Sequence, residues 1–179
     1  NPNGFYIDGP ILDLEFRSFV GMHPVPVVHG MTIGEYANMI NGEKWLNNMI
    51  QCSLNVISCL NYDHSTRYIL PIPPSPNLPN MRSIYLYPSL CFFEGTNVSI
   101  GRGTDFPFQV FGAPYFNKTQ FSFTPQATYG AKNPKHKQKT CYGLDLRILP
   151  IDSLQNINKL NLKWLVNSYK LSKESEVFF

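Results

Sequence analysis

Twelve carboxylates are the chain's supply of acid–base groups, and local structure accounts for most of them. Glu35 stands three residues after Thr32 at the start of an apolar-periodic stretch, as the second member of a capping box. Asp145 takes the solvent phase of an alternating run, Asp152 opens a helical region, and Glu43 follows a helix stop. Asp13 and Glu15 share a polar turn, while Glu174 and Glu176 belong to a polar terminal stretch. Asp8, Asp63, Glu94 and Asp105 remain. Glu94 is set apart by its context: it follows the apolar run Leu90-Cys91-Phe92-Phe93 and opens a glycine-rich polar loop. A carboxyl at the edge of apolar packing is partly desolvated, which disfavours its charged form and suits it to general-acid duty. The competing reading is a loop glutamate that accepts backbone N–H bonds.

Arg102 lies between Gly101 and Gly103. On a loop of so little bulk a guanidinium can grip a carboxylate bidentately; the plainer reading is a turn with a solvated arginine. The segment is no P-loop, because no Gly-Lys-Ser/Thr ends it. His29 falls at a strand end just before a helix start, where catalytic groups of α/β folds gather, with a structural hydrogen bond as the alternative. His64 follows Asn61-Tyr62-Asp63, a cluster suited to stacking and hydrogen bonding against a sugar, or equally to a turn.

Cys52, Cys59, Cys91 and Cys141 show no CxxC spacing, and no histidine stands at a zinc-finger distance, so no metal site is expected. They read as buried free thiols. A Cys91–Cys141 or Cys52–Cys59 bridge is the alternative in an oxidising compartment. Lys132, Lys135, Lys137 and Lys139 form the one dense basic tract, either a solvated hairpin tip or an attraction for anionic glycan or peptide groups. The glycosylation-type triplets Asn97-Val98-Ser99 and Asn117-Lys118-Thr119 are short enough to arise by chance.

These groups need a scaffold. Val25, Val27 and Val28 predict a short strand ending at His29. Thr32 then opens a helix whose apolar face is Ile33, Tyr36, Ala37 and Ile40. Met31 and Tyr36 form its hydrophobic staple, and Asn41-Gly42 its stop. The mostly apolar run at residues 54–60, with Val56 and Ile57, predicts a buried strand. Strand, helix and strand make the rhythm of a parallel βαβ unit. Pro71, Pro73, Pro74, Pro76 and Pro79 then exclude both helix and central strand, leaving a stiff extended loop. Past residue 106 the pattern changes. Phe108 with Val110, Phe121 with Phe123, and Leu144 with Leu146 and Ile148 alternate as antiparallel strands do. Leu162, Leu165, Val166 and Tyr169 mark an amphipathic helix with Asn161 at its cap.

At 179 residues the chain is the size of one domain, or of parts of two. Hydrophobic residues at 43% against charged residues at 15% exclude a disordered chain. A net charge of +3, with one short basic tract, argues against a nucleic-acid partner. No apolar run approaches the ~18–20 residues of a transmembrane segment, and no signal-peptide pattern is present. The chain begins Asn1-Pro2 without methionine and ends Val177-Phe178-Phe179, so both ends read as cut, leaving room for a targeting segment upstream. The residues alone describe an α/β protein with a polar, glycine-rich loop suited to a polar ligand.

Taken in order, several short motifs resemble a known family. They are Asn1-Pro2-Asn3-Gly4, Gly9-Pro10, Pro26, His29-Gly30-Met31-Thr32-Ile33-Gly34-Glu35, Pro74-Ser75-Pro76-Asn77, Glu94-Gly95-Thr96-Asn97, Gly101-Arg102-Gly103-Thr104 and Gly112-Ala113-Pro114. Together they resemble the bacterial peptidoglycan exo-β-N-acetylmuramidases, glycoside hydrolases long catalogued as a conserved domain of unknown function. Residues 61–64 and 129–143 look like its Bacteroides-type branch.

The resemblance implies a Rossmann-like parallel-sheet domain followed by a smaller α/β domain with antiparallel strands. Residues 1–106 would be the C-terminal part of the first, with active-site loops, and 107–179 an incomplete second. The family carries an upstream Glu-His-Gly-type motif expected to hold another catalytic glutamate; this chain has none, and reads as about half an enzyme. The implied activity is release of N-acetylmuramic acid (MurNAc) from non-reducing ends of peptidoglycan fragments such as MurNAc-GlcNAc, in cell-wall turnover and recycling. It would need no cofactor, and would act in the bacterial cell envelope, periplasmic or secreted.

The family's Glu-Gly-Thr-Asn glutamate falls on Glu94, implied to be catalytic. His29, His64, Asn77, Thr96, Asn97, Arg102 and Thr104 are implied to bind the sugar, with Arg102 toward the lactyl carboxylate. The alternative is a non-catalytic glycan-binding or structural module of the envelope that kept the fold after losing one carboxylate. A nucleotide-binding domain is disfavoured, because no phosphate-cradling glycine loop opens a helix.

Overall fold

The structure, a computed structural model, describes residues 2–117, 120–172 and 178–179. Lys118 and Thr119 of the second glycosylation-type triplet, and Glu174 and Glu176, lie outside the described residues. The chain divides into two compact units, Asn1–Tyr68 and Ile69–Phe179; residue 106 falls inside the second.

In the first unit, strands β1 (Ile7–Ile11) and β2 (Pro26–His29) pair antiparallel, with Ile7 opposite His29 and Asp8 opposite Val28. The register shifts between Asp8 and Ile11. Tyr6 and Val28 are its buried apolar side chains. Helix α1 (Ile33–Gly42) follows, opened by the expected capping box. The Glu35 amide donates to Thr32 Oγ1 at 3.2 Å, and the Thr32 amide donates to the Glu35 carboxylate at 2.7 Å.

The parallel βαβ unit does not form. Residues 51–59 hold neither strand nor helix, and Ile57 and Leu60 are each 89% exposed. A parallel strand is stable when neighbours complete its ladder and both its faces are covered. The first unit offers residues 54–60 neither, so an apolar, β-branched run stays extended chain, and every strand pair among the described residues is antiparallel.

The second unit opens with the proline-rich stretch, irregular as expected. Helix α2 (Met81–Leu90) follows, with Pro88 within it. Asn80 and Ser83 cap it reciprocally, and Tyr85, Leu86 and Leu90 are buried, so packing outweighs the proline. The helix runs straight into a 3₁₀ turn, Cys91–Gly95, whose Phe93 is fully buried and stacks on Phe111 at 4.9 Å between centroids.

Strands β3 (Val110–Ala113), β4 (Ser122–Phe123) and β5 (Cys141–Asp145) form an antiparallel sheet in the order β3-β5-β4. Gly112 lies opposite Gly143, and a Cβ on Gly143 would stand 1.9 Å from the Phe111 carbonyl oxygen. The antiparallel strand expected around residues 144–148 is β5, placed three residues earlier: Leu146 is buried just beyond it and Ile148 is exposed. Phe108 precedes β3 with a φ of 56°, outside strand geometry. Helices α3 (Ile151–Gln155) and α4 (Lys163–Ser172) close the unit, and the Lys163 amide donates to Asn161 Oδ1 at 3.2 Å. No helix among the described residues is long and apolar enough to cross a membrane.

All four cysteines are free thiols. Burial pushes Cys91 up to about 11 and Cys141 up to about 12. Cys52 and Cys59 are exposed instead of buried, because they lie beside or within the run that gains no strand partner.

Candidate active site

Glu94 stands on the 3₁₀ turn that prolongs α2. Helical spacing sets Tyr87, Cys91 and Glu94 along one side, at i, i+4 and i+7. The buried ring of Phe93 anchors the turn and turns the next side chain outward, leaving the Glu94 carboxylate 37% exposed. Its partner is Arg102, whose Nη2 donates to Oε1 at 2.5 Å. Glu94 thus meets a guanidinium, where the sequence suggested an apolar edge.

Arg102 is held by the two glycines around it. Gly101 has a φ of 77° and Gly103 of 84°, the left-handed region that side chains avoid. A Cβ on Gly101 would stand 2.7 Å from Val110, and one on Gly103 2.4 Å from the Gln126 carbonyl oxygen. The Thr104 hydroxyl closes the turn, donating to Gly101 O at 2.6 Å and accepting from the Phe106 amide at 3.2 Å. The guanidinium carbon of Arg102 lies 5.4 Å from the Phe108 ring centroid, a cation–π contact. Its Nε is buried and makes no hydrogen bond among the described residues.

Residues 131–135 form the facing wall. Lys135 turns its ammonium inward, donating to Phe93 O at 3.1 Å, to Glu94 O at 2.9 Å and to Thr96 O. Burial lowers its pKa below the ordinary lysine value, and Arg102 adds to the effect while the Glu94 charge opposes it. His136 Nε2 lies 2.8 Å from Asn97 O. Glu94, Ser99, Ile100, Arg102 and residues 131–135 enclose a cavity of about 330 Å³, the size class of a small-ligand site. Among the described residues Glu94 is the one carboxylate on its wall.

The other expected site residues are placed as follows. Thr96 is buried, its hydroxyl donating to Phe93 O at 2.9 Å and accepting from the Val98 amide at 3.2 Å. Thr96 and Thr104 therefore spend their hydroxyls on the loops themselves. Asn97 is exposed. Asn77 Nδ2 donates to Gly130 O at 2.8 Å.

His29 and His64 belong to the first unit. His29 Nδ1 accepts from the Met31 amide at 3.2 Å, its ring stacks on Tyr36 at 5.1 Å, and burial lowers its pKa. His64 Nε2 stands 2.8 Å from Glu35 Oε1, and that bond raises the histidine's pKa. Asp63 is a turn former, accepting from the Ser65 amide and hydroxyl at 2.8 and 2.6 Å. Among the described residues no three His, Cys, Asp or Glu side chains are grouped to hold a metal ion.

One member of the site, Lys135, and one neighbour, Tyr87, escape sequence reasoning. Tyr87 is outside the cavity lining but close enough to Glu94 to feel its charge: burial raises its phenol, and the Glu94 charge raises it further. It needs α2 to be placed, and the Asn80/Ser83 cap was the available signal. Lys135 sat in the basic tract, and its inward turn is a contact some forty residues long-range that no local pattern announces.

The family models for the exo-β-N-acetylmuramidase NamZ match twice, the N-terminal one over residues 1–82 and the C-terminal one over residues 85–178. The peptidoglycan β-N-acetylmuramidase NamZ of Bacillus subtilis (strain 168) is 36% identical over 173 residues, covering 88% of this chain and 41% of that protein. The crystal structure of a DUF1343 family protein from Bacteroides fragilis NCTC 9343 matches with a TM-score of 0.95 at 52% identity. That match covers 100% of this chain and 50% of the other, so the chain spans half or less of the length of these relatives.

Proposed function

This chain belongs to the exo-β-N-acetylmuramidase NamZ family, and on that premise we propose that it carries part of the active site of a glycosidase. The reaction is release of N-acetylmuramic acid from the non-reducing end of peptidoglycan fragments, MurNAc-GlcNAc being the smallest. The setting is cell-wall turnover and recycling in the bacterial envelope, periplasmic or secreted.

The observation that carries this reading is the Glu94–Arg102 pair on the wall of the cavity. Cleaving a glycosidic bond commonly takes two carboxyl groups, about 5–5.5 Å apart for retention of configuration and about 6.5–9.5 Å for inversion. Glu94 is one of them. It protonates the leaving oxygen or stabilises the oxocarbenium-like transition state, and its partner lies outside residues 1–179. Arg102 recognises the lactyl carboxylate, the anion that distinguishes muramic acid from N-acetylglucosamine; a planar guanidinium matches it bidentately. Asn97, exposed on the Glu94 loop, and Asn77 bind the sugar's polar groups, while Thr96 and Thr104 shape the loops. For His29 and His64 the proposed role toward the sugar rests on the family motif.

The test is hydrolysis of MurNAc-GlcNAc against GlcNAc-GlcNAc by the full-length protein. Cleavage of the first alone is expected. A folded full-length protein that binds MurNAc-GlcNAc without cleaving it would instead be a glycan-binding module, a reading favoured by the single carboxylate that the described residues place on the cavity wall.

A further inference from the structure

We infer that Lys135 is a positioning residue for Glu94, clamping the carbonyl end of the turn that presents the carboxylate. This rests on the reading of Glu94 as a reacting group. The end of a helix leaves its last carbonyls without intrahelical donors, and a cation is favoured there. The turn Cys91–Gly95 ends α2; Phe93 O already accepts from the Thr96 amide at 3.0 Å and hydroxyl at 2.9 Å, and the Lys135 ammonium joins them there and meets the carbonyls of Glu94 and Thr96. An ammonium has three N–H donors, so all three are spent inside the protein. His136 continues the clamp on Asn97 O. Four carbonyls of the Glu94 loop are thereby held from one two-residue segment.

The same segment is tied to Arg102. Pro134 is buried and packs where a Cβ on Gly103 would stand, 2.6 Å from Pro134 Cγ. The Gln126 amide donates to Gly103 O at 2.7 Å, and the Gln138 amide to Pro125 O at 2.8 Å. One loop therefore fixes the backbone under both Glu94 and Arg102. Lys135 is exposed as a residue, as are Lys132, Lys137 and Lys139, and what sets it apart is its ammonium, bonded to three backbone carbonyls. A surface lysine that attracts anionic glycan would keep its ammonium in solvent.

The test compares the full-length wild-type protein with Lys135→Met and Lys135→Arg by backbone hydrogen exchange and by steady-state hydrolysis of MurNAc-GlcNAc. In Lys135→Met, exchange is expected to rise over residues 93–99 while the sheet β3-β5-β4 keeps its protection. kcat is expected to fall about 10–100-fold with KM nearly unchanged, because a small misplacement of a reacting group is costly. Lys135→Arg, which keeps the cation, is expected to recover part of kcat. Unchanged exchange over residues 93–99 would overturn the clamp. Raised exchange with wild-type kcat would overturn the positioning role. A wild-type protein without turnover, alongside raised exchange in Lys135→Met, would remove the reading of the reaction and leave the clamp standing.

Discussion

Arg102 Nη2 lies 2.5 Å from Glu94 Oε1, across eight residues of sequence that fold back through a glycine-framed turn. Both side chains are more than a third exposed, so the pair contributes little to stability. Its significance is geometric. The guanidinium is aimed at the cavity's carboxylate by a backbone that only glycine can follow on either side, and it rests against the Phe108 ring.

Arg102 is therefore expected to govern substrate choice. Arg102→Ala should raise KM for MurNAc-GlcNAc about tenfold or more, since a charge-assisted hydrogen bond contributes roughly 1.5–3 kcal/mol. Arg102→Lys should restore little of it, because an ammonium cannot make the bidentate grip. Steady-state kinetics on both variants check this; unchanged muramyl selectivity in Arg102→Ala would remove the lactyl clamp.

Gly103 and Gly95 should differ sharply under the same substitution. Gly103→Ala places a Cβ 2.4 Å from the Gln126 carbonyl at a φ of 84°, so urea unfolding should show a loss of at least about 1–2 kcal/mol. Gly95, with nothing within 4 Å of its built Cβ, should accept alanine with little change.

The first unit should carry a pH signature at His64 and Glu35. His64 has its pKa raised, so its contribution is full below its ordinary value of 6.5 and is lost as pH rises through the folded value. Glu35 has its pKa lowered, chiefly by the Thr32 amide and then by His64. Its contribution is full above its ordinary value of 4.5 and is lost as pH falls through the folded value. The pair is thus strongest between those two limits. Thermal unfolding of wild type and His64→Gln should differ most between the two ordinary values, 4.5 and 6.5, and the difference should fade as pH rises through the folded histidine value. A difference independent of pH would exclude the ion pair as its source.

The extent of the units is open to limited proteolysis. Exposed, irregular chain is where proteases cut first, and residues 51–59 lack secondary structure. Early cleavage there, trimmed back to the start of the second unit, should leave a stable product starting near residue 69. A stable product starting near residue 107 would favour the boundary suggested by the change of sequence pattern.

What could be read ahead of the fold was what is local. Thr32 and Glu35 announce α1 because a capping box is written in four consecutive residues, and Asn161 announces α4 as a single capping side chain. Glu94 and Arg102 stood out by composition around them, but their pairing needed the turn between Gly101 and Gly103. Helix α2 holds Pro88, which argues against helix locally, and its burial in the core outweighs that local signal. The strand expected at residues 54–60 failed for the opposite reason: its residues suit a strand, and strands are stabilised by neighbours that periodicity cannot supply. Lys135 looked like one lysine of four, because a side chain's partners forty residues away leave no mark in its own neighbourhood.

Glu94 is the residue on which the proposed reaction depends, and the most direct measurement is release of N-acetylmuramic acid from MurNAc-GlcNAc by the full-length protein and its Glu94→Gln variant at equal concentration. Loss of about 100-fold or more in kcat is expected, with circular dichroism and unfolding midpoint unchanged, since the exposed amide fits the carboxylate's place. A folded Glu94→Gln protein that releases the sugar at near the wild-type rate would contradict the assignment of Glu94 to the reaction.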